Sequence, residues 1–170
     1  MIKGLHHNAY RCRDSEETRV FYEDFLGLRL AGTLEISETV TGRKTNTLHT
    51  FYELGDGSYL AFFEAPDMPF EFKRQHDYDL HIALEVDEPT LARMLAHGKA
   101  RGVETRGISE HGFIRSIYFR DPNGYVIELT AKTPEHARAM DPATNGARAK
   151  LDRWQAARPR LSSSARTGAG

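Results

Sequence analysis

The strongest constraint on how this chain folds is that its first 131 residues carry one pattern twice. Residues 4–13 alternate as a strand does, and "DSEETRVFYEDFLG" follows. There Asp14 with Glu17 three positions on has the form of a capping box, Val20, Phe21 and Phe25 give an apolar helical face, and Gly27 gives a stop. Strands are predicted over 28–38 and 46–54, after which "GDG" (55–57) turns the chain into "SYLAFFE". Residues 65–79, "APDMPFEFKRQHDYD", read as a linker from their two prolines and clustered charge. Then the pattern restarts. "LHIALEVD" (80–87) is a strand and "EPTLARMLAHGKARG" a helix, with Pro89 in its first turn and Gly102 at its stop; "HGFIRSIYF", the turn "DPNG" and "YVIELTA" close the unit. His7 to Gly27 spans 20 positions and His81 to Gly102 spans 21. The "DG" before "SYLAFFE" matches the "NG" before "YVIELTA", which sets Ala61 opposite Glu128. A strand–helix–strand–strand–strand unit of this length is longer than solenoid periods. It predicts an α+β fold of two paired βαβββ modules, at 4–64 and 80–131.

A domain over 1–131 leaves 132–170 as an extension. Its one clear element is a helix at about 146–157, with Ala147, Leu151 and Trp154 on one face. The end, "LSSSARTGAG", lacks the apolar content to fold. With 170 residues the chain is long enough for one real core. Its 23 basic and 24 acidic residues leave a net charge of -1, which argues against nucleic-acid and anionic-membrane partners. Cys12 is the lone cysteine, so a disulfide framework and a cysteine zinc cluster are excluded. The polar N-terminus does not read as a signal peptide and no apolar run can span a bilayer. The expectation is a soluble cytoplasmic protein acting on a small molecule.

The candidate chemistry follows from strand parity. In "LHIALEVD", Ile82, Leu84 and Val86 form one face and His81, Ala83 and Glu85 the other; the apolar face packs on the following helix, so His81 points away from it. Measured back from the helix starts at Asp14 and Glu88, His7 matches His81, and His6 falls on the structural side. Glu128 interrupts the apolar run Tyr125–Leu129, and a buried carboxylate is costly unless paired or metal-bound. If a pseudo-twofold relates the modules, first and last strands converge on one cleft holding His7, His81 and Glu128. Two imidazoles and a carboxylate with open coordination positions suit Fe(II), Mn(II) or Zn(II). Glu64, three residues past Ala61, has the wrong parity to join them.

"LHHNAYRCRDSEETRVFYEDFLGLRL", "DLHIALEVDE" and "DPNGYVIEL" together resemble the vicinal oxygen chelate superfamily over residues 1–131. That family includes glyoxalase I, bleomycin- and fosfomycin-resistance proteins, methylmalonyl-CoA epimerase and extradiol dioxygenases. The resemblance implies paired βαβββ modules forming a U-shaped sheet around a metal, commonly in a homodimer. Residues 111–128 resemble the extradiol signature through His111, Ile117-Tyr118, Asp121-Pro122, Gly124 and Glu128, departing from it at Ser109. This implies His111 and Tyr118 as catalytic groups beside the metal and Glu128 as a ligand. Two further departures stand out. Extradiol enzymes use another histidine on the first-half hairpin, where this chain reads "GSYLAFF" and His49 lies on the strand before; and Ala61 holds the first-half carboxylate position of the four-ligand glyoxalase I pattern. Three functions stay open: an Fe(II)-dependent extradiol dioxygenase cleaving a catechol; another metal-dependent lyase, isomerase, epimerase or resistance transferase; and a metal-free protein that binds a drug-like ligand.

Overall fold

The computed structural model of the chain describes residues 1–74 and 76–157, so the end of the tail at 158–170 lies outside the described residues. The first module runs β1 (Tyr10–Arg11), α1 (Ser15–Arg19), a π-helical turn (Val20–Phe25), β2 (Arg29–Glu38), β3 (Lys44–Glu53) and β4 (Tyr59–Glu64). The second runs β5 (His81–Glu85), α2 (Glu88–Ala100), β6 (Thr105–Glu110), β7 (Ile114–Arg120) and β8 (Val126–Lys132). Each forms a four-stranded mixed sheet, in the orders β1-β4-β3-β2 and β5-β8-β7-β6, with the first strand parallel to the last and the rest antiparallel. Two βαβββ units with this shared topology are the fold the repeat predicts.

Local chemistry sets the elements. Asp14 Oδ1 accepts from Glu17 N at 2.8 Å, and Asp87 Oδ1 accepts from Thr90 N at 2.8 Å, so an aspartate caps the helix of each module. Glu17 does not reach back to the cap; it pairs with Arg13 instead. Glu64 Oε2 accepts from Ser15 N at 2.7 Å, which places it at the start of α1. Both helices end where a glycine takes positive φ, Gly27 at 83° and Gly102 at 68°. The opening strand is shorter than the predicted 4–13: only Tyr10–Arg11 pairs continuously, with His7 adding a single parallel bridge to Tyr59.

One core serves both modules. Phe21, Tyr22, Phe25, Tyr52, Leu60 and Phe62 from the first meet Leu91, Ile117, Phe119, Tyr125 and Ile127 from the second. The turn 121–124 pins them together. Tyr22 donates to Asp121 at 3.0 Å, Arg13 N donates to Asn123 Oδ1 at 2.8 Å, and Tyr125 donates to the Arg11 carbonyl at 3.0 Å. Burial raises the Asp121 carboxyl pKa against the opposing pull of its Asn123, Tyr125 and Tyr22 donors. The linker is strapped to the same turn, because Lys73 N donates to the Asn123 carbonyl at 2.9 Å.

Gly124 sits under that strap with φ +92°, and a Cβ there would lie 2.3 Å from the Lys73 carbonyl oxygen. Gly124→Ala therefore adds backbone strain to a clash with main chain. It is expected to cost about 2–4 kcal/mol, read as a lower urea midpoint; an unchanged midpoint would refute the strap. Cys12 gives a second check on the core. Its thiol is buried, and desolvation pushes its pKa up to about 11. Ellman's reagent at pH 8 is expected to react with Cys12 only as urea unfolds the chain, whereas rapid labelling of native protein would contradict this burial.

After β8 the chain folds over the β6–β7 connection. Thr133 N donates to the Phe113 carbonyl at 3.1 Å, and α3 (His136–Met140) sets the His136 ring 6.1 Å from that of Phe113. The last helix, α4 (Ala147–Ala157), forms where the sequence predicts it, with Leu151 and Trp154 exposed. Among the described residues no helix is long and apolar enough to cross a membrane.

Candidate functional site

The outward face of the second sheet carries the candidate groups. Ile82 and Leu84 of β5 turn into the core while His81, Ala83 and Glu85 stay exposed, as alternation requires. Hydrogen-bond register then sets one row across all four strands: Ala83 pairs with Glu128, Glu128 with Tyr118, and Tyr118 with Arg106. Partners in such a row share a face. Glu128 is the centre of the row and is only 5% exposed. Its neighbour is His81, whose Nε2 lies 3.2 Å from Glu128 Oε2.

The proton on His81 is constrained from the other side. Its Nδ1 lies 2.6 Å from the Asp77 carbonyl, which can only accept, so Nδ1 carries hydrogen. Nε2 is then a lone pair aimed at a carboxylate oxygen, unless it binds a second proton. Two acceptors face to face call for a cation between them. A backbone carbonyl orienting the far nitrogen of a histidine is the usual support of a metal-ligating imidazole. The pair therefore fits a divalent metal by its donor types and its orientation, with the carboxylate buried and the imidazole open to the cleft.

His111 follows β6, and its Nε2 is hydrogen-bonded to Tyr118 OH at 3.0 Å. Burial, then the Glu128 carboxylate, raises the Tyr118 phenol above its ordinary pKa, which holds it protonated at neutral pH. Arg106 lays its guanidinium 4.6 Å from the Tyr118 ring centroid and forms an ion pair with Asp77. Arg106 holds the Asp77 carboxyl below its usual range. These residues, with Phe113 and Ile114, line a cleft of about 420 Å³, within the range of small-molecule sites.

Of the residues singled out from sequence, His81, Glu128, His111 and Tyr118 meet in this cleft. His7 does not join them within the chain. It bridges to Tyr59 on the first sheet, its Nδ1 2.7 Å from His6 Nδ1 and its ring 5.6 Å from that of Phe51. Among the described residues no three His, Cys, Asp or Glu side chains gather closely enough to hold a metal. The repeat nevertheless holds to the residue. His7 bridges Tyr59, two residues before Ala61, just as His81 pairs with Val126, two before Glu128. The first-module row at the same level reads Ala61, Phe51, Gly32. The first module's row is thus uncharged where the second's carries Glu128 and Arg106. Arg106 and Asp77 were missed from sequence, because Arg106 enters the row only through the register of β6.

A duplicated βαβββ unit with a histidine and a buried glutamate on one open sheet face defines the vicinal oxygen chelate class of fold. The model of the Glyoxalase/Bleomycin resistance protein/Dioxygenase superfamily matches residues 4–129. The chain belongs to that superfamily.

Its similarities run in two directions. It is 32% identical over 107 residues to the "Putative ring-cleaving dioxygenase MhqA" of Bacillus subtilis, a match over 62% of this chain and 34% of that protein. The chain thus spans about a third of the length of MhqA. It is 30% identical over 144 residues to the metallothiol transferase FosB of Shouchella clausii, over 78% of this chain and 83% of that one. Among solved structures, the fosfomycin resistance protein FosX of Listeria monocytogenes, in complex with Mn(II) and sulfate, superposes with a TM-score of 0.60 at 24% identity, covering 81% of this chain and 99% of that one. At that identity the likeness supports the fold alone.

Proposed function

We propose that this chain is an extradiol-type dioxygenase that cleaves a catechol-like aromatic, with Fe(II) held by His81, Glu128 and the His7 of a second copy in a homodimer. Mn(II) and Zn(II) are the alternative ions for the same donors. The observation that carries the reading is the pair His111–Tyr118, hydrogen-bonded at 3.0 Å and seated beside Glu128. A ring-cleaving enzyme needs a proton acceptor and a donor beyond the ligands, and these two groups fill both roles. The metal would hold a catechol through its two neighbouring oxygens together with O₂ and pass electron density between them. Once a substrate displaces the hydrogen bond between them, His111 Nε2 would take a hydroxyl proton from the substrate and return it later, and the freed Tyr118 hydroxyl would donate a hydrogen bond to a substrate oxygen. Phe113 and Ile114 give the ring an apolar wall.

The second copy enters for two reasons. His7 lies on the first module's sheet, away from Glu128, and would complete the ligand set only across an interface between copies. The exposed Leu151 and Trp154 also need cover. We take residues 1–131 as the catalytic domain and 132–170 as an extension, of which residues 133–157 pack on this body or its neighbour.

The test is O₂ consumption and the yellow ring-opened product from a panel of catechols with Fe(II)-loaded protein. A second reading rests on the FosB likeness, which spans most of both chains. Under it the cleft opens an epoxide or transfers a thiol without O₂. Anaerobic turnover of fosfomycin with a thiol, and none of catechols in air, would replace the first reading by the second.

A further inference from the structure

We propose that Arg106 is the specificity-determining residue of the cleft and that it selects a catechol bearing a carboxylate, on the ring or on a short arm, with Asp77 as its counter-ion at rest. The proposal rests on the reading above and adds the charge of the substrate to it.

Arg106 stands two strands from Glu128 in the same row, about 9–10 Å away between backbones. A substrate gripped beside Glu128 and lying across Tyr118 would bring a substituent to the guanidinium. The fork is held ready. The guanidinium lies over the Tyr118 ring, its carbon 4.6 Å from the centroid, and a carboxylate matches a guanidinium fork two bonds at a time.

Its partner holds it lightly. The hydrogen bond to Asp77 uses one terminal nitrogen, and the Arg106 side chain is 62% exposed, a setting in which an ion pair contributes little. One carboxylate can replace another there at small cost. The exchange also leaves the rest of the cleft in place. Asp77 holds His81 through its backbone carbonyl and Arg106 through its side chain, so the carboxylate can swing away while the carbonyl stays.

Nothing in the fold itself asks for an arginine at this point. The equivalent position of the first module, paired with Phe51 as Arg106 is with Tyr118, is Gly32. Nor does Arg106 neutralise Glu128, whose partner is His81. Among the described residues the charge is met by Asp77, with which an entering anion would compete.

Steady-state cleavage of catechol and of 3,4-dihydroxyphenylacetate by the Fe(II)-loaded full chain tests this. The wild type is expected to favour the carboxylated substrate by about 10–100-fold in kcat/KM, the worth of a charge-assisted hydrogen bond. Arg106→Met should erase that preference through KM rather than kcat, Arg106→Lys should restore part of it, and Asp77→Asn should lower KM by removing the competitor. Equal kcat/KM for the two substrates in the wild type, or a preference that survives in Arg106→Met, overturns the proposal. Calorimetric titration of metal-free protein separates this failure from failure of the dioxygenase reading. 4-Hydroxyphenylacetate should bind, while its methyl ester, and the acid with Arg106→Met, should not. That pattern without catechol cleavage would keep the anion site and dismiss the reaction. Equal binding of acid and ester, or tighter binding of fosfomycin than of the aryl acid, overturns the assignment to a carboxylated arene.

Discussion

Mixing His7→Ala and Glu128→Gln proteins is expected to restore metal binding that neither has alone. Each variant should lose at least about 10²-fold in affinity, since loss of even a supporting residue costs 10–100-fold and these are the proposed ligands. In a dimer whose clefts pair the first module of one copy with the second module of the other, a mixed dimer holds one cleft with both defects and one with neither. Random exchange makes about half of the dimers mixed, so about a quarter of the sites should return. The basis is the separation seen in one chain: His81 and Glu128 lie 3.2 Å apart, while His7 sits on the other sheet beside His6 and Phe51. If each chain closed its own site, every chain in the mixture would carry one defect and no metal would return. His81→Ala should behave as Glu128→Gln does, and His81→Ala mixed with Glu128→Gln should recover nothing, because both defects lie on the same half.

The second large effect is kinetic. His111→Ala is expected to keep Fe(II) bound and slow ring cleavage by about 10²–10⁴-fold, the usual contribution of a placed acid–base group. His111 touches Tyr118 and is not a neighbour of His81 in the ladder, so its removal should spare the metal. Tyr118→Phe should cost less, because it removes one hydrogen bond and keeps the ring over which the Arg106 guanidinium lies. Iron content by emission spectroscopy, read beside O₂ uptake, separates the two effects. A His111→Ala protein that loses its iron, or that cleaves at the wild-type rate, would deny His111 this role.

Much of this was legible in the residues. Asp14 and Asp87 announce the helix starts and Gly27 and Gly102 the ends, because capping and positive φ are local demands that neighbours rarely override. The parity of His81 and Glu128 followed from alternation on strands whose other face is plainly apolar. Glu64 was set aside on the same ground, and it is found at the N-terminus of α1. What resisted reading had no local signature. β6, "TRGISE", lacks alternation, carries Gly107 inside it and shifts register between Gly107 and Ser109, so neither it nor Arg106 could be placed. The second half of the first helix winds as a π turn, which has the same apolar spacing as α-helix over so few residues. The linker looked like a spacer, although its Lys73 and Asp77 tie it to the turn at 121–124 and to the cleft. The distance between His7 and Glu128 depends on how whole sheets are arranged, and no pattern in a strand encodes that.

The row Ala83–Glu128–Tyr118–Arg106 works as a ruler whose divisions are main-chain hydrogen bonds. Side chains can change at one mark without moving the next, since the spacing belongs to the backbone. In the proposed reaction the chemistry falls at the Glu128 and Tyr118 marks, and recognition one strand further out, on the edge strand β6. A lineage built on this ladder can therefore trade substrates by substitution on β6 while its chemistry stays where it was. The same separation gives an engineer a position to randomise first.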